Sequence, residues 1–198
     1  MMATTHALAG LLVASVSLLV APEVGSVALL AGFAGGIAPD LDLYFAHRRT
    51  LHFPVLLPVA TAPAVAVAAL APSAGTVAVA AFVAGAAVHS LSDVLGGGLE
   101  LRPWRQTSDR AVYSHVHGAW FRPRRLVGYD GSPGDLALAA LLGVAALAVS
   151  SDGVVRGVVV GALVVSITYA VLRRRLPALA EGLVATVVPT LALTYVPD

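Results

Sequence analysis

The sequence Pro39-Asp40-Leu41-Asp42 closes one strongly apolar segment of this chain, and His89-Ser90-Leu91-Ser92-Asp93 closes another. Both stretches place ionisable side chains where lipid or lipid headgroups should begin. An ionised side chain near hydrocarbon costs about 2.5–3.5 kcal/mol on insertion scales, so such residues indicate a functional site with specific partners. Clustered histidine and aspartate side chains favour a divalent metal ion as that partner.

The composition indicates a membrane protein. Of the 198 residues, 58% are hydrophobic and 12% are charged, and the mean hydropathy is +0.87. Soluble domains carry about 25% charged residues, roughly twice this fraction. The net charge of +1 says nothing about partners by itself, and we expect no nucleic acid. The lack of cysteine excludes disulfides and thiolate metal ligands.

Seven apolar segments are candidates for helices that cross a bilayer, which takes about 17–25 residues. We predict an all-α, polytopic integral membrane bundle of about six to seven transmembrane helices, forming one membrane domain over residues 1–198. The first segment lacks the basic residues of a signal peptide, so we expect a retained helix. The second segment is the shortest, and Pro39 should end it. The predicted spans are 5–21, 25–38, 54–71, 76–95, 134–149, 154–172 and 176–196.

Residues 96–133 form the longest less apolar segment and mix six arginines with Trp104, Tyr113 and Trp120. Such mixtures beside membrane spans are typical of an interfacial belt, so we predict a basic interfacial or cytoplasmic loop that faces lipid headgroups. With seven spans, eleven of the twelve arginines fall on the side of the N-terminus, and Arg156 is the exception. The positive-inside rule therefore predicts a cytoplasmic N-terminus in the cell (inner or plasma) membrane.

The side chains that can bind a metal gather on this predicted cytoplasmic side. His89 and Asp93 are four residues apart, so a helix places both on one face. Three of the aspartates lie at predicted helix C-termini, where the helix dipole disfavours a carboxylate unless a cation binds. Nitrogen and oxygen ligands without sulfur suit zinc, manganese or iron. The candidate ligands come from four segments and are His6, Asp40, Asp42, His47, His52, His89 and Asp93.

Four further ionisable residues have weaker patterns. His115 and His117 lie two residues apart in the basic loop; they could complete a metal site, but solvation is the favoured interpretation. Glu100 is a candidate general base from its position alone. Glu181 is predicted to pair with the arginines at 173–175.

Five short motifs together resemble the family of inner-membrane-associated, metal-dependent hydrolases known as YdjM-like. The resemblance covers roughly the first half of the chain, and its motifs are THALAG at 5–10, GIAPDLD at 36–42, HRRTLH at 47–52, HSLSD at 89–93 and LRPW at 101–104. It implies a multi-span membrane protein with metal bound by the seven candidate ligands.

The His-x-x-x-Asp element also resembles part of the ligand set of zinc-dependent phospholipase C and of P1-type nucleases. That likeness implies zinc and phosphoester hydrolysis. It is an analogy at the level of the fold, and function must be argued from the site itself. The later His-x-x-x-Glu element of those enzymes is missing here, unless His115 or His117 substitutes for it. We expect one to three ions.

These patterns lead to the hypothesis of a membrane-bound, metal-dependent hydrolase acting on a phosphoester or lipid substrate. Asp42 or Asp93 would serve as the base. The anionic oxygens of the substrate would be received by arginines, namely Arg48, Arg49, Arg102 and Arg105. The alternative is a non-catalytic membrane protein, either a structural metal scaffold or a metal carrier. Spans nearly free of ionisable residues count against a carrier.

Overall fold

The computed structural model describes residues 1–193, and the side chains of residues 1–185. This part of the chain is mostly helical. It contains seven α-helices, which are α1 (Ala3–Ala14), α2 (Gly25–Ile37), α3 (Leu56–Leu70), α4 (Ala74–Ser92), α5 (Pro133–Val149), α6 (Gly153–Leu172) and α7 (Leu176–Leu193).

Three helical stretches of the described chain are long and apolar enough to cross a membrane. They are Pro22–Tyr44, Ala74–Leu95 and Gly153–Leu172. The remaining apolar helices of the described residues have 10–17 residues each. Every predicted span overlaps one helix, although the predicted end of the last span, 194–196, lies outside the described residues.

Helix α2 ends at Ile37, just before Pro39 as predicted, but the prediction that the chain leaves the helical region there is wrong. After α2 the chain continues as a 3₁₀ helix over Ala38–Tyr44, with Pro39 in its first turn. A proline is tolerated there because the first turn of a helix does not need its backbone N–H. The continuation makes Pro22–Tyr44 one of the three longest apolar helices and carries Asp40 and Asp42 on its final turns.

Helices α1, α2 and α4 pack backbone against backbone through glycine. A Cβ atom on Gly10 would lie 2.3 Å from the carbonyl oxygen of Gly32, and one on Gly85 would lie 2.3 Å from the same oxygen. A Cβ atom on Gly36 would lie 2.4 Å from the carbonyl oxygen of His6. Small residues allow such close approach of membrane helices. We call α1, α2 and α4 the core trio.

Helices α5 and α6 pack beside α1, while α3 packs against α4. The buried Asp135 links α5 to the start of α1, because its carboxylate accepts hydrogen bonds from the Met2 backbone N–H at 2.7 Å and the Thr5 hydroxyl at 2.8 Å. Thr4 and Ser166 join α1 to α6 through their hydroxyls at 2.7 Å. Leu8, Leu11, Leu29, Val155 and Val159 are among the fully buried side chains between these helices.

The loop at 96–133 contains a hairpin that the sequence patterns did not predict, formed by β1 (Val112–Ser114) and β2 (Ala119–Phe121). Its Tyr113 backbone N–H donates to the Arg48 carbonyl at 2.9 Å, which fixes the hairpin against the loop at 45–53. The predicted mixing of arginine with aromatic residues appears as cation–π pairs, such as Arg110 over Trp120 and Arg49 over Tyr113.

The predicted partner of Glu181 is also wrong. Its carboxylate pairs with Arg102 at 2.6 Å, whereas Arg173 pairs with Asp130 at the same distance. Position in the chain suggested the nearest arginines, but the fold brings the basic loop against the start of α7.

Candidate metal centre

The seven candidate ligands meet where the core trio ends. His6 lies in the first turns of α1, and His89 and Asp93 lie at the end of α4. Asp40 and Asp42 lie in the 3₁₀ helix after α2, and the loop that follows supplies the other two histidines. Five of the seven are almost wholly excluded from solvent, namely His6, Asp42, His52, His89 and Asp93.

Two imidazole nitrogens face each other at the centre of this cluster. The Nε2 atoms of His52 and His89 are 3.1 Å apart. His52 Nδ1 is 2.9 Å from an Asp42 oxygen, and His89 Nδ1 is 2.7 Å from the Gly36 carbonyl. Because these oxygens can only accept, each Nδ1 donates its proton to them, and the two Nε2 atoms are left facing each other. Two ring nitrogens at this distance need a proton or a cation between them.

Two carboxylates approach these nitrogens. Asp40 Oδ1 is 3.4 Å from His89 Nε2 and 3.8 Å from His52 Nε2, and Asp93 Oδ2 is 3.6 Å and 3.1 Å from the same atoms. Ligands of tetrahedral zinc at about 2.0–2.1 Å are roughly 3.3–3.4 Å from one another. Asp93 Oδ2 is buried and has no hydrogen-bond partner among the described residues. A metal ion would satisfy this atom.

His6 approaches the other oxygen of the same carboxylate. Its Nε2 is 3.1 Å from Asp93 Oδ1, its Nδ1 is 3.0 Å from Ser92 Oγ, and its ring stacks on His89 at 3.9 Å. Within the described residues, two overlapping groups could hold a metal ion: His6 with His89 and Asp93, and Asp40 with His52 and His89. Five of the seven predicted ligands therefore lie in ligand groups.

Asp42, a predicted ligand, lies behind these groups and belongs to neither of them. One of its oxygens accepts from His47 Nδ1 and the other from His52 Nδ1, both at 2.9 Å. Backbone N–H groups of Arg48, Arg49 and Leu51 donate to the same carboxylate. Asp42 thus orients His52 in the way that carboxylates orient metal-binding histidines, and its occupied oxygens make it unsuited to act as a base. His47 also contacts Asp42 and lies in neither group.

Arg48, predicted to receive a substrate, points its side chain at the cluster. Its side chain is buried, its Nη1 donates to the Gly97 carbonyl at 2.8 Å, and its Nε lies 3.6 Å from Asp93 Oδ2. Its backbone has φ of 59°, a left-handed conformation that few residues other than glycine adopt. The charge of Arg48 is therefore directed at the cluster and balances Asp93.

A cavity of about 250 Å³ lies beside the cluster. The residues that line it include Asp40, Leu43, His47, Arg48, Asp130, Val165 and Tyr169. Asp130 accepts from the Tyr169 hydroxyl and pairs with Arg173. Burial alone would lower the pKa of Arg173, but the hydrogen bond to Asp130, the charge of that carboxylate and the neighbouring tyrosines together raise that pKa.

Asp130 and Tyr169 were not found by sequence reasoning. They are far apart in the chain and meet only through packing of α6 against the segment before α5. The two weaker histidines lie on the surface of the hairpin, where His115 contacts the Arg49 carbonyl and His117 contacts Ser114. Neither belongs to a ligand group of the described residues, and nor does Glu100.

Comparisons with family models, with curated proteins and with solved structures find no match to this chain. The resemblance to YdjM-like hydrolases therefore stays a prediction. The function must be argued from the geometry of the site.

Proposed function

We propose that this chain is a metal-dependent hydrolase of phosphoesters, embedded in a cell membrane by six to seven helices and carrying its metal at the cytoplasmic face. The proposal depends mainly on one observation. Asp40 contributes an oxygen to a ligand group and also lines the cavity, so an ion held there would have one side open to a substrate. Catalytic metal sites keep such an open position, whereas structural sites are closed.

The membrane topology in this proposal combines helix length with charge. Three helices are long enough to span, and the shorter Ala3–Leu19 and Pro133–Val149 approach the required length. The clustered arginines of the loops favour the cytoplasm as the side on which the metal cluster lies.

Zinc is the metal that the donor set suits best, with manganese or iron as alternatives. The two oxygens of Asp93 face different histidines, His6 on one side and His52 on the other, so this carboxylate could help either histidine to hold an ion. When bound, the metal would polarise a phosphoryl oxygen and lower the pKa of a bound water towards about 7.

The residues of the chain support this chemistry in three ways. Asp42 holds His52 with its Nε2 towards the ligand groups, and Arg48 balances the charge of Asp93. Asp40, at the cavity, has a side chain 17% exposed. Its second oxygen is therefore better placed than Asp42 or Asp93 to take a proton from water.

The test is turnover by purified protein loaded with zinc, manganese or iron. The substrates are bis(p-nitrophenyl) phosphate and a panel of phospholipids. We expect hydrolysis by the wild type and a loss of about 100-fold or more in Asp93→Ala, as is usual when a metal ligand is removed. Asp109→Ala is the matched control, because Asp109 is exposed on the loop surface and should keep full activity. No turnover above the level of Asp93→Ala would contradict the proposal.

A structural metal scaffold is the second candidate, favoured by the complete burial of His6, His52 and His89. For a scaffold, chelation should unfold the protein, and no substrate should turn over in any metal state. A carrier has less support, because the two ligand groups of the described residues share His89 and lie at one end of the helices.

A further inference from the structure

The cavity beside the metal cluster reaches two of the candidate membrane spans. Leu43 belongs to the stretch Pro22–Tyr44, and Val165 belongs to Gly153–Leu172. Both side chains line the cavity and are also largely exposed, Leu43 at 64% and Val165 at 56%. In a membrane, exposed apolar residues on a span face lipid. The cavity therefore has walls that the bilayer can reach.

The depth of Val165 supports a sideways opening. Val165 lies seven residues before Leu172, the last residue of α6, which places it roughly 10 Å along the helix from that end. The neighbouring Ser166 is tied to Thr4 of α1, so this wall is held in place. The same cavity is also lined by Asp40, His47 and Arg48. The same space thus runs from charged side chains to the apolar surface of a span.

We infer that the cavity opens laterally into the bilayer and takes an amphiphile that carries a phosphate group on an acyl-chain anchor. The phosphate would lie beside Asp40 and the metal cluster, and the chain would lie over Leu43 and Val165. The identity of the headgroup as a phosphoester rests on the proposed function. A water-soluble phosphoester would gain nothing from the two exposed apolar walls, whereas each buried methylene of an acyl chain strengthens binding.

Helix α6 offers a matched pair of residues for a test. Val164 and Val165 are consecutive valines with exposures of 57% and 56%. Val165 lines the cavity and Val164 does not. A tryptophan at either position adds the same bulk to the lipid-facing surface, but only Val165→Trp narrows the cavity.

The experiment uses zinc-loaded full-length protein in nanodiscs of a phosphate-free betaine lipid. These contain a trace of phosphatidic acid with a photoreactive diazirine in its acyl chain. After irradiation, labelled peptides are mapped by mass spectrometry. We expect label near Leu43 and Val165, and competition by unlabelled phosphatidic acid but not by more of the betaine lipid. Val165→Trp and Leu43→Trp should each lower this competed labelling by roughly tenfold, the loss expected when about two methylenes lose their buried contacts. Val164→Trp should leave it unchanged.

Equal labelling of Val164→Trp and Val165→Trp, or labelling that phosphatidic acid does not compete, would overturn the inference and indicate ordinary surrounding lipid. Turnover in the same samples separates this result from failure of the proposed function. Competed labelling without hydrolysis keeps the amphiphile site and defeats the hydrolase. Hydrolysis of bis(p-nitrophenyl) phosphate without competed labelling keeps the hydrolase and defeats the amphiphile site.

Discussion

The core trio and helix α6 are both rich in glycine, yet they use it in opposite ways. In the trio, Gly10, Gly32 and Gly85 meet the backbone of a neighbouring helix at distances that leave no room for a Cβ atom. In α6, a Cβ atom on Gly157 or Gly161 would have nothing within 4 Å among the described residues. Glycine therefore fixes the spacing of the trio, while in α6 it lies on an open surface.

The core trio and α6 also contribute differently to the candidate site. The trio and the loop after α2 supply every member of the ligand groups, and their close packing holds these side chains together. Helix α6 supplies only a wall of the cavity, through Val165 and Tyr169. The packed side of the molecule, which is the core trio, therefore holds the candidate ligands together, and the open side, which is α6, supplies a wall of the cavity.

The largest expected effect comes from breaking the packed side. Gly36→Ala would place Cβ 2.4 Å from the His6 carbonyl oxygen and 2.7 Å from Ala7 Cα, so the backbones must separate. We expect a loss of about 1–3 kcal/mol in stability, the usual cost of overpacking. Metal occupancy should also fall, because His89 Nδ1 donates to the Gly36 carbonyl. Thermal unfolding and elemental analysis measure the two effects.

Gly161→Ala is the control on the open side. It should keep full metal occupancy and gain up to about 1 kcal/mol from the better helix propensity of alanine. Equal destabilisation by the two substitutions would show that the contrast between the helices is wrong.

The second prediction concerns Asp42, which orients His52 from behind. Asp42→Asn should weaken metal binding by about 10–100-fold, the usual effect of losing such a partner, and should leave the protein folded. Chelator competition measures the affinity. Asp109→Asn, on the exposed loop, should bind metal like the wild type. An unchanged affinity in Asp42→Asn would contradict the orienting role.

The third prediction tests the hydrogen bond between Thr4 of α1 and Ser166 of α6, which links the packed side to the open side. Ser166→Ala removes the hydroxyl contact with Thr4, and we expect a loss of about 0.6 kcal/mol, typical of hydrogen bonds between membrane helices. Thr168→Ala is the control, since the Thr168 hydroxyl donates to the Val164 carbonyl of its own helix. If both variants unfold alike, the hydroxyl contact does not join α1 to α6.

The smallest effect is expected at the far end of α6, where Asp152 caps the helix. The Val155 backbone N–H and the Ser26 hydroxyl lower the pKa of its carboxyl below the usual 3.8. A lowered pKa in the folded state means that this stabilisation is complete above about pH 4 and is lost as the pH falls through the folded value.

The melting temperature of Asp152→Ala should accordingly lie below that of the wild type at about pH 6, and the gap should narrow as the pH is lowered below about 4. Melting curves in detergent over this range measure the gap. A gap that does not change with pH would exclude a contribution from the ionised carboxylate.

Local sequence patterns were enough to predict the positions of the helices and the meeting of the ligands. Apolar runs mark each helix, and the four-residue spacing of His89 and Asp93 places both at one helix end. Positive-inside counting then put His6 and the aspartates at the same end, where the structure brings them together.

The missing features depend on contacts between distant parts of the chain. The sequence could not distinguish the roles of Asp40 and Asp42. With only Leu41 between them, the two differ in the direction in which the 3₁₀ turn points each side chain. The pairing of Arg102 with Glu181 and of Asp130 with Tyr169 follows from how loops meet helices. The continuation of the helix past Pro39 required knowledge of the tighter 3₁₀ turns.

The most direct test of the central claim is the metal content of the purified protein by elemental analysis. The wild type should carry one to two equivalents of zinc, manganese or iron per chain, and His89→Ala should lose them, because His89 is shared by both ligand groups. His117→Ala, on the exposed hairpin, should keep the wild-type content. The absence of metal from the wild type after reconstitution, or its retention in His89→Ala, would contradict a metal centre at this cluster.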